Sequence, residues 1–360
     1  MTAVPFYDSA QYEALRHEEV PVGPPGGNIV LSERIPAIRD LLLDEFQRVA
    51  PERLGILHGE YLLLGNGTVL VDREGNLLVS CSALGAPVAA GACEQPDIKP
   101  VMQMVREQWD HLAVLTNCLI FTDPWADNYF HFSLSVLPRL RHFDAIGPVA
   151  PVLPESHRRR RFQTDLLARA LRGSAPWPLA YTVRVRDPIL AHDGDQGCRN
   201  AARWLRGATG LSARPGKRRI YIRRSAKGTR ILTGGGISES PGFLALLRDF
   251  DFETIEFGNG ETDVASQVAM LEGAGLVLAP HGAAQTNLAY LGPELTLIEV
   301  FGNAQINACF MRLSAWMGFD YQAICSDVYD AAMNIIVDLD ELRDALRARV
   351  RLPQFALACA

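Results

Sequence analysis

Residues 275–301 read GLVLAPHGAAQTNLAYLGPELTLIEVF, and they predict two strands separated by a helical segment. The runs GLVLA (275–279) and TLIEVF (296–301) are short and rich in Leu, Val and Ile, which is typical of strands buried on both faces of a sheet. A helix is predicted between them at about 283–291. A strand–helix–strand unit of this kind belongs to a parallel sheet.

Two further β-rich runs lie upstream, RIYI (219–222) and FETIE (252–256), with helical stretches at about 239–249 and 261–273. Strands that alternate with helices of this length form right-handed βαβ units. The sequence therefore predicts a Rossmann-like domain over 214–337.

The length of 360 residues corresponds to about two domains. We expect an N-terminal α/β domain over 1–213, with a boundary near the Pro- and Gly-containing segment 213–216. A last helix is predicted within 338–360, because Asp338 and Glu341 form a capping pair and leucines follow along one face.

The N-terminal half contains one clear buried run and one clear helix. AVLTNCLIF (113–121) predicts a buried strand. A helix is expected to follow, with Asp127 as its N-cap and with Phe130, Leu134 and Leu137 facing a core.

Composition and charge exclude several classes of protein. The net charge of −6 and the pI near 5.8 argue against general nucleic-acid binding, which depends on phosphate neutralisation. Seven cysteines without a C-x-x-C pair argue against a disulfide framework and a zinc site. No apolar stretch approaches the roughly 18 residues of a membrane helix, and the N-terminal region lacks an apolar signal core. We expect a reduced, cytoplasmic protein.

The turn after the GLVLA strand is a candidate anion site. His281 and Gly282 lie where the strand ends and a helix begins, which is the edge where open α/β sheets bind ligands. Gly282 allows close approach of the backbone, amides at a helix start favour a pyrophosphate, and His281 can donate to a phosphate oxygen. A Pro-His-Gly turn with a hydrogen-bonded core histidine is the alternative.

A cluster of cations follows the RIYI strand. Residues 217–230 contain seven Lys and Arg side chains and no acid. Arg223 and Arg224 come directly after the strand, and Lys227 and Arg230 follow in a loop. Neighbouring strand residues point to opposite faces, so we expect one of the two arginines to face a ligand. Arginine suits phosphate oxygens, and a solvated surface edge is the alternative.

The helix predicted at 128–139 has a polar face. Asn128, His131 and Ser135 lie on it at i, i+3 and i+7. His131 is a candidate general base, because the ordinary pKa of histidine lies near neutral pH. A core histidine bonded to a carbonyl group is the alternative.

Glu299 is a lone carboxylate within the apolar TLIEVF run. A buried charge needs a partner, and either a ribose hydroxyl pair or an internal ion pair would supply one. The sequence has no G-x-G-x-x-G, P-loop, H-E-x-x-H or G-x-S-x-G motif, and its short Asp-x-Asp pairs do not predict a metal site.

From about Leu115 to Ile324 the sequence resembles glycosyltransferase family 61, which includes bacterial proteins of capsular polysaccharide biosynthesis. The family's Asn-Tyr-x-His motif, followed by Leu-Pro-Arg, is present at Asn128, Tyr129, His131, Leu137, Pro138 and Arg139. Its basic residues, His-Gly-Ala loop, Thr-Asn pair and strand glutamate match Arg224, Arg230, His281, Gly282, Ala283, Thr286, Asn287 and Glu299. Three places depart from the pattern: Ser135 stands where the family often has an acid, Gln285 replaces an apolar residue, and residues 233–236 replace a more polar helix start.

The resemblance implies a GT-B-like fold, in which two Rossmann-like domains face a cleft and the last helix packs back on the N-terminal, acceptor-side domain. It also implies inverting transfer from a nucleotide-sugar, with UDP as the expected nucleotide, to a glycan hydroxyl, without a metal or other cofactor. The predicted catalytic residues are His131, as the base, and Asn128. The predicted donor-binding residues are Arg224, Lys227, Arg230, His281, Gly282, Ala283, Thr286, Asn287 and Glu299.

Two other functions fit the same residues. One is a nucleotide-sugar epimerase or hydrolase, which would use the phosphate site without an acceptor. The other is a non-catalytic nucleotide- or glycan-binding component of a polysaccharide assembly complex, which the loss of the acid at Ser135 keeps open. The basic run at 158–161 is compatible with peripheral contact at the inner face of a membrane, and a solvated surface run is its alternative.

Overall fold

The computed structural model describes residues 4–5, 12–18, 28–47, 52–63, 69–74, 77–79, 107, 109–120, 126–142, 150–154, 159–171, 177–179, 183–192, 199–224, 236–258, 262–302 and 306–351. Contacts divide the chain into two units. Unit 1 is Met1–Val22 with Val49–Gly210, and unit 2 is Gly23–Arg48 with Leu211–Ala360. Both units contain helices and strands, so the fold is mixed α/β.

The strands in chain order are β1 Val4–Pro5, β2 Tyr12–Glu18, β3 Ile29–Val30, β4 Glu52–Leu57, β5 Glu60–Leu63, β6 Val69–Val71, β7 Leu77–Val79, β8 Val114–Thr116, β9 Cys118–Ile120, β10 Ala150–Pro154, β11 Trp177–Leu179, β12 Val183–Arg186, β13 Ile189–His192, β14 Arg218–Ile222, β15 Phe252–Ile255, β16 Ala274–Pro280, β17 Thr296–Gly302 and β18 Asp320–Ser326. The α-helices are α1 Pro36–Gln47, α2 Tyr129–His131, α3 Arg161–Ala170, α4 Arg199–Thr209, α5 Pro241–Asp249, α6 Val264–Met270, α7 Cys309–Met317 and α8 Leu339–Arg351. Other helical turns are Trp109–His111, Phe132–Val136, Leu137–His142 and Ala283–Tyr290.

Unit 2 contains a six-stranded sheet in the order β15-β14-β16-β17-β18-β3, with parallel pairing throughout. The four strands that the sequence predicts in this unit are confirmed as β14, β15, β16 and β17. The helices predicted at 239–249 and 261–273 are α5 and α6, which are shorter than expected. The segment predicted as a helix at 283–291 is a 3-10 helix over Ala283–Tyr290.

Helices α5 and α8 cover one face of this sheet. Their buried side chains share a core with alternate residues of β16 and β17, namely Leu276, Leu278, Ile298 and Val300. Burial of each such side chain contributes about 1.5–3 kcal/mol relative to exposure. Because side chains alternate along a strand, Glu299 points to the opposite face, where α7 contacts β18 and the 3-10 helix.

Two segments that the sequence analysis associated with the N-terminal domain lie in unit 2. The predicted domain 1–213 includes β3 and α1, but both belong to unit 2, and β3 pairs with β18. The last helix begins as predicted, because Asp338 Oδ1 accepts the N–H of Glu341 at 2.8 Å. Its apolar face, with Leu342 and Leu346 buried, packs into the core of unit 2, and the expected packing on the N-terminal domain stays a prediction.

Unit 1 contains two mixed sheets rather than the single Rossmann-like sheet that we expected. Their strand orders are β1-β7-β6-β5-β12-β8 and β11-β10-β9-β13-β4-β2. The run 113–121, predicted as one strand, forms β8 and β9, which lie in different sheets. Asn117 between them has a φ of 50°, a left-handed conformation that interrupts an extended strand.

The helix predicted at 128–139 is regular only in its first turn. It continues as a π-helix over Phe132–Val136 and as a 3-10 helix over Leu137–His142. The N–H of Leu137 donates to the carbonyl of Phe132, five residues back. Pro138 follows without an N–H to donate, so regular α-helical bonding cannot resume there. The change of helix type removes the even i, i+3, i+7 face on which the sequence analysis placed its polar residues.

Candidate functional site

Strands β14 and β16 mark the point at which the strand order of the unit 2 sheet reverses. From β14 the chain passes to β15 on one side, and then crosses to β16 on the other side of β14. Open α/β sheets bind ligands at such a switch point, outside the carboxyl ends of the strands. Here Arg224 follows β14 and His281 follows β16. Two residues predicted from the sequence therefore lie at the preferred ligand position of this fold.

Arg224 lies beside the loop that contains His281. A Cβ atom built on Gly282 would be 4.0 Å from Arg224 Nη1. Arg223 has a different partner, because its Nε and Nη2 donate to the two carboxylate oxygens of Glu239 at 2.6 and 2.7 Å. Of the two adjacent arginines, Arg224 is therefore the one that the structure brings to the loop.

The His281 ring is held on two sides. Its Nδ1 lies 2.8 Å from Glu299 Oε1, so this nitrogen carries a proton that it donates to the carboxylate. The ring stacks on Phe301, with centroids 5.0 Å apart, and meets Phe310 edge-on at 5.6 Å. The side chain remains 17 % exposed. Since Nδ1 is engaged, Nε2 is the nitrogen that can meet a ligand.

Glu299 is completely buried, and protein groups bind both of its carboxylate oxygens. Oε1 accepts from His281 Nδ1 and from Gln285 Nε2 at 3.0 Å, and Oε2 accepts from the Tyr321 hydroxyl at 2.7 Å. Burial raises the pKa of Tyr321 well above its ordinary value, so the hydroxyl keeps the proton that it donates. The fully buried carboxylate of Glu299 thus bonds to protein side chains, in line with the internal partner that was the alternative, and ribose contact stays a prediction.

The residues after His281 divide into a rim and a buried part. Gly282 and Ala283 are partly exposed, at the start of the 3-10 helix. Thr286 and Asn287 are fully buried. Asn287 Nδ2 donates to Gln267 Oε1 at 2.9 Å, which ties the 3-10 helix to α6. Of these four predicted donor-binding residues, Gly282 and Ala283 are accessible from solvent and Thr286 and Asn287 are enclosed, and their roles in donor binding stay predictions.

In unit 1, Asn128 and His131 occupy the first turn of α2. Asn128 is the N-cap, a position that the sequence analysis gave to Asp127, and its Oδ1 accepts the N–H of Phe130 at 2.8 Å. His131 is partly exposed, with its ring edge-on to Phe130 at 5.7 Å between centroids. The cap engages the oxygen of Asn128, so this residue orients the turn that carries His131.

Lys227 and Arg230, predicted to bind the donor, lie outside the described residues. Their roles stay predictions. Of the run 158–161 that we associated with membrane contact, position 158 also lies outside the described residues, whereas residues 159–161 are exposed and Arg161 opens α3. The membrane contact itself stays a prediction.

Three residues around His281 were not predicted from the sequence to belong to the site. Gln285 was noted only as a departure from the family pattern, and Tyr321 and Phe301 were not singled out. Tyr321 lies on β18, opposite Leu297 of β17, and reaches Glu299 along the same face. No sequence signal predicts that pairing, because it depends on the register between two strands.

Two negative results concern the described part of the chain. Within it, no three His, Cys, Asp or Glu side chains are grouped so as to hold a metal ion. None of the helices in those ranges has the length and apolar character required to cross a membrane.

Comparison with models of protein families gives a match to Glycosyltransferase 61 over residues 129–298. This range is a little under half of the chain and spans both α2, with His131, and the unit 2 segment from β14 to the first three residues of β17. The match supports family 61 and glycosyltransferase activity, with a nucleotide-sugar and a glycan acceptor as substrates. No curated protein matches the chain.

Proposed function

We propose that this chain, with its match to Glycosyltransferase 61, is an inverting, metal-independent glycosyltransferase. It would move a hexosyl or pentosyl group from a nucleotide-sugar, with UDP as the expected nucleotide, to a hydroxyl of a surface glycan. Arg224 beside the His281-Gly282 loop, at the switch point of the unit 2 sheet, is the observation that carries this proposal. That edge of the sheet offers positive charge and open backbone to a diphosphate.

In the proposed reaction, the acceptor oxygen bonds to the anomeric carbon of the donor sugar. The bond from that carbon to the diphosphate oxygen breaks, and its electron pair stays on the departing nucleoside diphosphate. His131 takes the proton of the acceptor hydroxyl. Because the hydroxyl attacks from the side opposite the diphosphate, the configuration at the anomeric carbon is inverted.

Stabilisation of the leaving diphosphate is the larger task of the site. The guanidinium of Arg224 supplies charge-assisted hydrogen bonds, and His281 presents Nε2 to the same ligand because its Nδ1 is bound to Glu299. Lys227 and Arg230 are proposed to add to this positive charge. Preorganised donors of this kind supply much of the rate enhancement in group transfer, because they need no rearrangement as charge develops.

Glu299 has an indirect part in this proposal. Its buried carboxylate orients His281 rather than contacting the donor, so it is a positioning residue. Asn128 has the same status in unit 1, since it caps the turn that carries His131.

The GT-B arrangement of the two domains, a bacterial capsular role and a cytoplasmic location with peripheral membrane contact belong to the proposal and stay predictions.

Incubation with single nucleotide-sugars tests the proposal. A thermal-shift screen first identifies the nucleotide that raises the melting temperature, since a ligand that binds only the folded state stabilises it. That donor is then incubated with and without pooled glycan acceptors, and products are identified by mass spectrometry. A glycosyltransferase yields a lengthened glycan only in the presence of acceptor. Conversion of the donor without any acceptor would favour an epimerase or hydrolase, and binding without turnover would favour a non-catalytic component.

The variant His131→Ala separates the base from the donor site. We expect it to lower turnover by roughly 10²–10⁴-fold, the usual contribution of a general base, with unchanged affinity for the nucleotide. Nearly intact turnover in this variant would exclude His131 as the base.

A further inference from the structure

We infer that Tyr321 and Gln285 are positioning residues that hold Glu299 and, through it, fix His281 with its proton on Nδ1 and with Nε2 free to face the ligand. This inference rests on the proposed function for the role of the ligand, but its geometry is independent of the identity of that ligand. The residues come from the 3-10 helix, β17 and β18, so the arrangement requires the folded sheet.

Three groups that can donate hydrogen bonds surround the Glu299 carboxylate. Tyr321 Oη and His281 Nδ1 can each donate one hydrogen, and Gln285 Nε2 donates a further one. The two carboxylate oxygens can accept all three hydrogen bonds at once. Tyr321 and Gln285 thus hold the carboxylate in the position from which it accepts the hydrogen bond of His281 Nδ1.

Burial keeps two side chains near Glu299, those of Tyr321 and Cys325, neutral. Burial raises the pKa of Tyr321 well above its ordinary value and that of Cys325 to about 12, so both side chains stay protonated near neutral pH. Positive charge comes from Arg224, whose Nη1 lies beside Gly282, the residue after His281.

Gln285 also fixes the turn itself. Its Nε2 donates to the carbonyl of Pro280 at 2.9 Å as well as to Glu299, so one amide group joins the end of β16 to the carboxylate below. The backbone N–H of Gln285 donates to the carbonyl of Gly282 at 3.0 Å. An apolar residue at position 285 could form neither of these side-chain hydrogen bonds. The Pro280-to-Gly282 turn would then lose its connection to Glu299.

The tautomer of His281 is the feature that distinguishes positioning from packing. If Nδ1 loses its acceptor, the proton of the neutral ring is free to move to Nε2 and the ring is free to turn. Nitrogen-15 NMR of histidine-labelled protein separates the two tautomers, and the variant His281→Gln assigns the signal. We expect the Nδ1–H form in the wild-type protein and a mixture of forms in Tyr321→Phe and Gln285→Leu.

Tyr221→Phe is the matched control, because Tyr221 is equally buried on β14 but belongs to the core on the opposite face of the sheet. We expect this control to leave both the His281 signal and UDP affinity unchanged. Tyr321→Phe should weaken UDP binding about tenfold, equivalent to 1.4 kcal/mol. Gln285→Leu should act in the same direction, and it provides the test if Tyr321→Phe does not fold.

A double-mutant cycle with Glu299→Gln tests whether Tyr321 acts through the carboxylate. We expect Tyr321→Phe to cause no further loss of UDP affinity in the Glu299→Gln background. A His281 signal that is unchanged in both Tyr321→Phe and Gln285→Leu would overturn the inference, and so would equal losses from Tyr321→Phe in both backgrounds. If wild-type protein binds no nucleotide while the tautomer still changes in the variants, the positioning network stands and the proposed function fails.

Discussion

Replacement of Arg224 with glutamine removes the guanidinium beside Gly282 and leaves a side chain of similar reach. Arg223→Gln is a matched control, because it changes the neighbouring residue at the end of the same strand. In the structure Arg223 pairs with Glu239, and only Arg224 adjoins the His281 loop. The two variants carry the same change in net charge, so a difference between them reports position rather than overall electrostatics.

The expected size of the effect follows from the kind of bond that is lost. A hydrogen bond to a charged group contributes about 1.5–3 kcal/mol, and each 1.4 kcal/mol changes a dissociation constant tenfold. Arg224→Gln should therefore raise the Kd for a nucleoside diphosphate by roughly 10- to 150-fold. For Arg223→Gln we expect less than about a threefold change, because an exposed ion pair contributes about 0–1 kcal/mol and does not involve the ligand.

Isothermal titration calorimetry with UDP, GDP and CDP at two salt concentrations measures these values. The difference between Arg224→Gln and wild-type protein should shrink as salt rises, since a partly exposed charge is screened. Two outcomes would refute the placement of the diphosphate: a change below about threefold for Arg224→Gln, or an equal loss of affinity for both variants.

Two further predictions concern stability. Gly302→Ala places a Cβ against the Tyr329 hydroxyl and should lower the free energy of unfolding by about 1–3 kcal/mol in urea denaturation. Gly207→Ala in α4, with open space around it, should be neutral or stabilising. Equal effects of the two substitutions would contradict the close contact at Gly302. Burial raises the pKa of Glu341, so its contribution to stability is lost as pH rises through that folded-state value. Glu341→Gln should therefore have a higher Tm than wild-type protein at pH 7–8 and a similar Tm near pH 4, and a constant difference across this range would contradict the assignment.

The fold of unit 2 was largely predictable from local sequence. Short β-rich runs alternate with helical stretches there, and the carboxyl-edge positions of Arg224 and His281 follow from where two of those runs end. The fold of unit 1 was harder to predict from the sequence. Asn117 in a left-handed conformation divides an apolar run between two sheets, and nothing in the run itself indicates that choice.

The candidate site shows the same limit at the level of side chains. That Glu299 needs a partner was predictable, because a charge within an apolar strand must be compensated. Which partner it has depends on the register of β17 against β18 and on the turn that returns Gln285 to Pro280. Both are tertiary features, so the side chains that bond to Glu299 could be identified only from the structure.

The most direct test of the central claim is a crystal structure of the protein with bound UDP. We predict that the diphosphate lies at the carboxyl ends of β14 and β16, with its oxygens within about 3 Å of an Arg224 nitrogen and of His281 Nε2. Glu299 should remain bonded to His281 Nδ1 in that complex. A diphosphate bound elsewhere on the chain, with Arg224 and His281 both distant from it, would contradict the account.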